Sequence, residues 1–115
     1  MKKLIVYGSL LEGEYNHYLL KNSKKIESCI LEVPFKMVSF GAFPALIQDD
    51  NLNPIYVEIY EVDDDVYKRV EYLEGYPDFY DRLAVDKGEI YYINNPLYKK
   101  QYESFKHIKN WKLRE

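Results

Sequence analysis

The stretch KKLIVYGSL, residues 2–10, predicts a buried strand that ends in a tight turn. Residues 4–6 are Leu-Ile-Val without a polar residue between them, which is typical of a strand with both faces covered. Gly8 and Ser9 then end the strand. Successive backbone N–H groups of such a turn can point into one concavity and bind an anion or a developing oxyanion. On these residues alone, a simple strand-ending turn is the alternative.

The segment after residue 54 predicts a second strand followed by the clearest helix of the chain. Residues 55–62 alternate apolar and polar side chains at their start. Asp63 can cap a helix whose apolar residues recur at 66, 70 and 73, and Gly75 ends it. The acidic residues 63–65 could suggest a metal site. The preference of a helix start for anions explains them better.

The other segments predict a mixed architecture. Regular alternation of strand and helix is absent, which argues against a doubly wound parallel sheet. We therefore expect one α+β domain over residues 1–115, with a small mixed β-barrel-like sheet and flanking helices. The remaining predicted elements are a short helix over 14–20, strands over 25–33 and 35–40 separated by Pro34, a loop over 49–54, and a hairpin of 80–86 with 89–94.

Composition excludes several classes of protein. The 115 residues are 47% hydrophobic and 30% charged, which is ordinary for a soluble globular chain. The net charge of −3 argues against a general polyanion binder. No apolar stretch approaches the roughly 18 residues of a membrane span, and the apolar run at the start is too short for a signal peptide. Cys29 has no partner for an internal disulfide, so we expect a cytoplasmic protein without a membrane partner.

Metal and cofactor sites are not expected. His17 and His107 lie too far apart for ligand spacing, and Cys29 has no second cysteine. The sequence also lacks a Gly-x-Ser-x-Gly nucleophile motif and a phosphate-binding loop. Both histidines are therefore interpreted as structural side chains.

Glu74 is the candidate for acid–base chemistry. It lies in the last turn of the predicted helix, where the helix dipole disfavours a carboxylate. Its neighbours Leu73, Tyr76 and Phe79 would also remove water from it. Both effects raise a carboxyl pKa towards the range of a general base at neutral pH. The alternative is an exposed glutamate at a frayed helix end.

Two blocks together resemble the γ-glutamylcyclotransferase-like family. VYGSL at 6–10, followed by Gly13 and NHYLL at 16–20, is similar to the opening of that family. VEYLEGYPDFYDRLAV at 70–85 resembles its Leu-Glu-Gly-x-Pro-x-x-Tyr-x-Arg signature. Further similar stretches are YVEIYEVD at 56–63, FPAL at 43–46 and Trp111 near the end. The resemblance covers nearly the whole chain.

The resemblance implies a fold, an activity and a set of site residues. Some family members cyclise a γ-glutamyl amine or peptide to 5-oxoproline and release the amine, with the glutamate matching Glu74 as general acid/base. Backbone N–H groups matching Tyr7, Gly8, Ser9 and Leu10 hold the γ-glutamyl group. The reaction needs neither a metal nor an organic cofactor. The alternative on the same fold is a non-catalytic module that binds a small metabolite.

Three further residues are interpreted around this site. Tyr80 follows Pro77 where the chain returns towards the pocket, so it could hydrogen-bond near Glu74. Arg82 could pair with Asp78 or Asp81 or could reach the site, and the structural pairing is favoured. The family commonly has a glycine near positions 57–58, where this chain has Val57-Glu58, so we expect different packing of that strand. Another departure is Val70-Glu71-Tyr72, in place of a usual Leu-Asp pair.

The end of the chain is basic, whereas the rest is acidic. Residues 96–115 carry six Lys or Arg and two acids, against ten basic and seventeen acidic residues in 1–95. Such a tail with aromatic residues could bind nucleic acid. The favoured interpretation is that it folds back onto the acidic body and buries Phe105, Ile108 and Trp111. A net negative chain attracts phosphate poorly, so nucleic acid is not the expected partner.

Overall fold

The computed structural model describes residues 1–76, 80–94 and 107–113. One α-helix, α1 (Asp64–Glu74), accompanies two short 3-10 helices, His17–Leu20 and Trp111–Leu113. The strands are β1 (Lys2–Val6), β2 (Lys24–Ser39), β3 (Pro44–Val62), β4 (Asp81–Val85), β5 (Gly88–Tyr92) and β6 (His107–Ile108).

The strands form one mixed sheet in the order β4-β5-β1-β3-β2-β6. Strands β1 and β5 are parallel, and the other neighbours are antiparallel. The α+β prediction is confirmed. The sheet is bent, and over the described residues it does not close into a barrel. None of the helices in those residues is long and apolar enough to cross a membrane.

Strand β1 is buried on both faces, as its continuous apolar run predicts. Leu4 and Val6 pack in one hydrophobic cluster, together with Val70 of α1. Ile5 and Tyr7 pack in a second cluster on the opposite face. The alternation of side chains along a strand therefore sends this run into two cores.

The β2–β3 hairpin corrects two predictions. Pro34 does not end a strand, and 49–54 is not a free loop, because β2 and β3 run through both segments. Val33 pairs with Asn53 and Phe35 with Gln48, so residues 49–52 lie between two pairing registers. Proline has no N–H for the ladder. The Asn53 amide side chain instead donates to the Phe35 carbonyl at 3.0 Å.

The far end of this hairpin turns back towards β5. Strand β5 is parallel to β1 and β1 is antiparallel to the end of β3, so a flat sheet would make β3 antiparallel to β5. Ile47 nevertheless forms a parallel bridge with Ile93, whose N–H donates to the Leu46 carbonyl at 2.8 Å. This turn brings Pro44 against Gly8. A Cβ on Gly8 would lie 2.6 Å from Pro44 Cγ, so the close approach requires glycine.

Helix α1 begins and ends as predicted, while the helix expected over 14–20 is much shorter. Asp63 Oδ1 accepts from the Val66 N–H at 2.9 Å, and Gly75 ends α1 with φ 65°. In the 14–20 segment only His17–Leu20 is helical, of the 3-10 type. The residues before it form turns instead, since the Asn16 N–H donates to the Ser9 carbonyl. The β4–β5 hairpin is confirmed.

The described part of the tail packs on the sheet. Strand β6 pairs with β2, and the Tyr56 N–H donates to the Lys109 carbonyl at 2.8 Å. Trp111 is only 1% exposed, and Ile108 is half-buried. The fold-back prediction is confirmed for these residues. Phe105 lies outside the described residues.

Candidate active site

A cavity of about 570 Å³ opens where β1 ends. Its walls come from the turn after β1, the end of α1, strand β5 and the beginning of β3. All six residues predicted for the site line it, although the sequence separates them by more than sixty positions. The predicted residues are Tyr7, Gly8, Ser9, Leu10, Glu74 and Tyr80; the other lining residues are Ile5, Val6, Tyr15, Asn16, Ala42, Phe43, Pro44, Leu73 and Tyr91.

The turn after β1 presents unused backbone N–H groups. Its carbonyl groups are occupied: Gly8 accepts from the Leu11 N–H at 3.0 Å, and Leu10 accepts from His17 Nδ1 at 2.9 Å. Asn16 Nδ2 donates to Ser9 Oγ at 2.9 Å. Within the part of the chain that the structure describes, the N–H groups of Gly8, Ser9 and Leu10 have no acceptor. Such a turn can bind an anion or stabilise an oxyanion.

Glu74 is a half-buried carboxyl group at the end of α1. Burial raises its pKa to about 7. The shift has the direction expected from its apolar neighbours, of which Leu73 lines the same cavity. Phe79, also expected there, lies outside the described residues. A carboxyl group with this pKa exchanges protons readily near neutral pH.

Tyr7 and Tyr80 fix the cavity wall next to Glu74. Tyr7 donates to the Tyr91 carbonyl at 2.9 Å, and Tyr80 donates to the Pro44 carbonyl at 3.2 Å. Burial, with smaller contributions from Tyr80 and Glu74, raises the pKa of Tyr7 well above its usual value. Both phenols therefore hold backbone segments of the cavity in place.

Glu58 supports the site from behind and was not predicted to do so. This carboxylate is fully buried on β3. Its Oε1 accepts from the Glu12 N–H and from Tyr60 Oη, both at 2.8 Å. Its Oε2 accepts from Tyr56 Oη at 2.8 Å and lies 3.2 Å from Lys112 Nζ. Although burial raises the pKa of Glu58, these bonds outweigh it and lower the pKa overall.

The Glu58 contacts hold the chain just after the turn. Glu12 follows the turn by two residues, so its bond to β3 restrains Gly8–Leu10. In the sequence, Val57-Glu58 stands out only as a departure from the glycine of the family, which does not predict that Glu58 restrains the turn. One signal was present: tyrosines at 56 and 60 share a strand face with Glu58, because side chains two residues apart point the same way.

Arg82 has the favoured structural role, but its guanidinium does not pair with Asp81. Its guanidinium pairs with Glu71 of α1, and it stacks over the Tyr76 ring at 3.9 Å. Asp81 instead accepts from the Arg82 backbone N–H at 2.8 Å. Asp78 lies outside the described residues. Arg82 is not a lining residue of the cavity, so it fastens α1 to the β4–β5 hairpin.

Metal-ligand clusters are absent from residues 1–76, 80–94 and 107–113. No group of three or more His, Cys, Asp or Glu side chains there could hold an ion. His17 donates to the Leu10 carbonyl and packs in a tilted arrangement against the Tyr60 ring, with ring centres 5.5 Å apart. The acidic residues 63–65 include the helix cap Asp63.

The family comparison adds an independent observation to this geometry. The model of the gamma-glutamyl cyclotransferase, AIG2-like family matches residues 4–113. The chain belongs to this family. The predicted resemblance is therefore confirmed.

Relatives of this gamma-glutamyl cyclotransferase-like chain occur in archaea and bacteria. A Methanocaldococcus jannaschii protein named for gamma-glutamylcyclotransferase activity is 38% identical over 86 residues, which are 74% of this chain and 71% of that protein. The gamma-L-glutamyl-butirosin B gamma-glutamyl cyclotransferase of Niallia circulans is 35% identical over 77 residues, 66% of this chain and 47% of that protein.

Solved structures share the fold at low sequence identity. An uncharacterised protein from Pyrococcus horikoshii superposes with a TM-score of 0.74 at 21% identity, covering 96% of this chain and 90% of that one. The AIG2-like protein of Mus musculus superposes with a TM-score of 0.69 at 20% identity, covering 96% and 87%. These similarities establish the fold of the family for this chain.

Proposed function

We propose that this chain cyclises a γ-glutamyl amine or γ-glutamyl peptide to 5-oxoproline and releases the amine. The observation that carries the proposal is one cavity holding both a carboxyl group of pKa about 7 and a turn with unused N–H groups. Family membership and the name of the Niallia circulans relative support the same reaction class.

The first step is proton removal by Glu74. The α-ammonium group of the substrate is its own nucleophile once it loses a proton, and the Glu74 carboxylate is the base that takes it. Binding in a curled conformation brings the α-nitrogen close to the γ-carbonyl carbon, which replaces a bimolecular encounter by proximity. The protein itself then needs no serine or cysteine nucleophile.

The second step forms one C–N bond and breaks another. Attack on the γ-carbonyl carbon closes the five-membered ring and places negative charge on its oxygen. The turn N–H groups of Gly8, Ser9 and Leu10 bind one oxygen-bearing end of the substrate, either this oxygen or the α-carboxylate. Protonated Glu74 gives its proton to the leaving nitrogen, and the old C–N bond breaks.

The protons balance without water. The α-ammonium group loses two protons on becoming the lactam N–H. One completes the leaving amine, and the second makes that amine an ammonium ion after release. Glu74 carries both in turn and returns to its starting state, as a general acid/base must. In this scheme Tyr7 and Tyr80 keep the cavity wall next to Glu74 in place.

Replacing Glu74 with glutamine tests the proposal, because Gln keeps the size and cannot carry a proton. We expect 5-oxoproline release from γ-glutamyl amino acids, γ-glutamyl-ε-lysine and other γ-glutamyl amines to fall by at least ~100-fold. Asp64→Asn is the matched control, since it removes one charge at the exposed start of the same helix and should keep the wild-type rate.

Each outcome decides a different point. Equal rates for wild type and Glu74→Gln would exclude Glu74 as the acid/base. If wild type binds γ-glutamyl compounds in a thermal-shift screen but returns them intact, the chain is a binding module. If it neither binds nor converts any of them, both functions are excluded.

A further inference from the structure

The hydroxyl proton of Tyr91 is buried without an acceptor. The residue is only 4% exposed, and its O–H donates to no group among residues 1–76, 80–94 and 107–113. A buried phenol usually finds a partner, because an unmade hydrogen bond in a protein interior is costly. The proposed mechanism so far makes no use of this group.

The Tyr91 side chain lines the same cavity as Glu74. It lies on β5, which pairs with β1 immediately before the Gly8 turn. Its ring packs edge-on against Tyr76, with ring centres 6.4 Å apart, and its backbone carbonyl accepts from Tyr7. The strand is therefore fixed through its backbone and the ring through Tyr76, which suits a binding group.

The chemistry of this phenol favours an oxygen acceptor. Burial raises the pKa of Tyr91 to about 12, so the group stays a neutral donor at physiological pH. The Arg82 guanidinium, which can only donate, lies beside Tyr91 Oη and acts in the opposite direction. A positive charge behind a phenol polarises its O–H bond and strengthens its bond to a negatively charged oxygen. The ion pair with Glu71 holds the Arg82 guanidinium in place.

We propose that Tyr91 Oη binds the substrate directly, donating a hydrogen bond to an oxygen of the γ-glutamyl group. The turn N–H groups of Gly8, Ser9 and Leu10 then hold the other oxygen-bearing end, and Glu74 faces the nitrogen atoms between them. The identity of the ligand rests on the proposed function. The γ-glutamyl group offers two such ends, the α-carboxylate and the γ-carbonyl.

Tyr91→Phe removes only the hydroxyl group and tests this contact. Tyr92→Phe is the matched control, because Tyr92 is the next residue of β5 and is buried in the cluster on the other face of the sheet. The probes are 5-oxoproline, which carries both oxygen groups, cyclopentanecarboxylate, which keeps only the carboxylate, and 2-pyrrolidinone, which keeps only the ring carbonyl. Their dissociation constants are measured by NMR titration.

We expect Tyr91→Phe to raise the dissociation constant of 5-oxoproline by about 10- to 100-fold and Tyr92→Phe to leave it unchanged. Only one of the two smaller probes should lose affinity, and that probe identifies the oxygen that Tyr91 contacts. A Tyr91→Phe variant that loses stability but binds all three probes like wild type would show that the hydroxyl acts only through Arg82.

The failure of this inference is distinct from failure of the reaction. If Tyr91→Phe binds all three probes like wild type, the contact is wrong even if wild type turns over γ-glutamyl compounds. If wild type shows no turnover, the reaction is wrong, while weaker 5-oxoproline binding by Tyr91→Phe still supports the contact. If wild type binds none of the probes, the contact is also wrong.

Discussion

Glu74 is the proposed acid/base, and its burial also lowers the stability of the fold. Its pKa rises from an ordinary 4.5 to about 7 on folding, because burial disfavours the carboxylate. The folded state therefore binds the proton more tightly than the unfolded state. The free energy of unfolding must fall as the pH rises from about 4.5 to about 7, and the loss is complete above that range.

The pH dependence of Glu74→Gln should reverse this loss. Gln cannot ionise, so we expect the variant to match wild type near pH 4.5 and to be more stable at pH 8. One pKa unit corresponds to about 1.4 kcal/mol, so the rise from 4.5 to about 7 makes the expected gain about 3 kcal/mol. Urea unfolding at both pH values measures it. In wild type, kcat/KM should fall below about pH 7 as the base becomes protonated.

The Asp64→Asn control separates Glu74 from a general charge effect. A gain at pH 8 in both variants would mean that removing any acid from α1 stabilises this acidic body. A wild-type activity profile that stays flat from pH 5 to pH 8 would contradict the role of Glu74 as the base.

At the scale of elements, Glu58 connects three parts of the chain that are distant in sequence. From β3 it accepts the Glu12 N–H after the cavity turn and lies 3.2 Å from Lys112 in the second 3-10 helix. Tyr56 and Tyr60 complete its set of donors. A buried carboxylate held in this way restrains all three parts, because losing any bond leaves polar groups unpaired.

Glu58→Gln should destabilise the protein by about 3 kcal/mol or more at pH 7, since it leaves Lys112 without its buried counter-charge and places an amide donor against other donors. The pKa of Glu58 is lowered on folding, so its contribution is present above its unfolded pKa and is lost as the pH falls towards the folded one. The difference between wild type and variant should therefore shrink in acid.

Glu61→Gln is the control for this measurement, because it makes the same chemical change on the same strand at a half-buried position. Chemical unfolding from pH 3 to pH 7 compares the two. Equal, small effects of both substitutions would show that the Glu58 contacts do not hold the strand to the turn.

At the scale of the whole molecule, the basic tail contributes core to an acidic body. Trp111 is among the largest fully buried side chains, and β6 extends the sheet beside β2. Residues 107–113 therefore belong to the packed structure. This segment also supplies a counter-charge to the buried Glu58, because Lys112, at 3.2 Å, lies nearer to it than Lys25, at 4.0 Å.

Trp111→Ala should cost about 3–5 kcal/mol, the usual loss for truncating a buried tryptophan. Leu113→Ala is the control in the same short helix, since Leu113 is 76% exposed and should change the unfolding midpoint little. Urea unfolding measures both. The opposite result, an unchanged midpoint together with lost salt-sensitive binding to single-stranded DNA, would make the tail a nucleic-acid recognition element.

Sequence patterns predicted the elements that are determined by residues close to one another in the chain. The apolar run 4–6 predicts a covered strand, and Asp63 and Gly75 bound α1 by capping, which depends only on neighbouring backbone groups. The segment 49–54 failed as a prediction. Its polar residues look like a loop, but the pairs that flank residues 49–52, Val33 with Asn53 and Phe35 with Gln48, keep them within β3. Pairing with a strand twenty residues away leaves no pattern in the neighbouring sequence from which it could be predicted.

The sequence by itself determined the α+β class, the family and the residue types of the site. It also indicated the direction of the Glu74 pKa shift, since helix end and apolar neighbours are both local facts. Only the tertiary structure decided what surrounds those residues. The turned-back hairpin sets Pro44 against Gly8, and Glu58 finds its donors in three elements. That the Tyr91 hydroxyl lacks an acceptor is likewise visible only after folding, because hydrogen-bond satisfaction depends on contacts between distant segments.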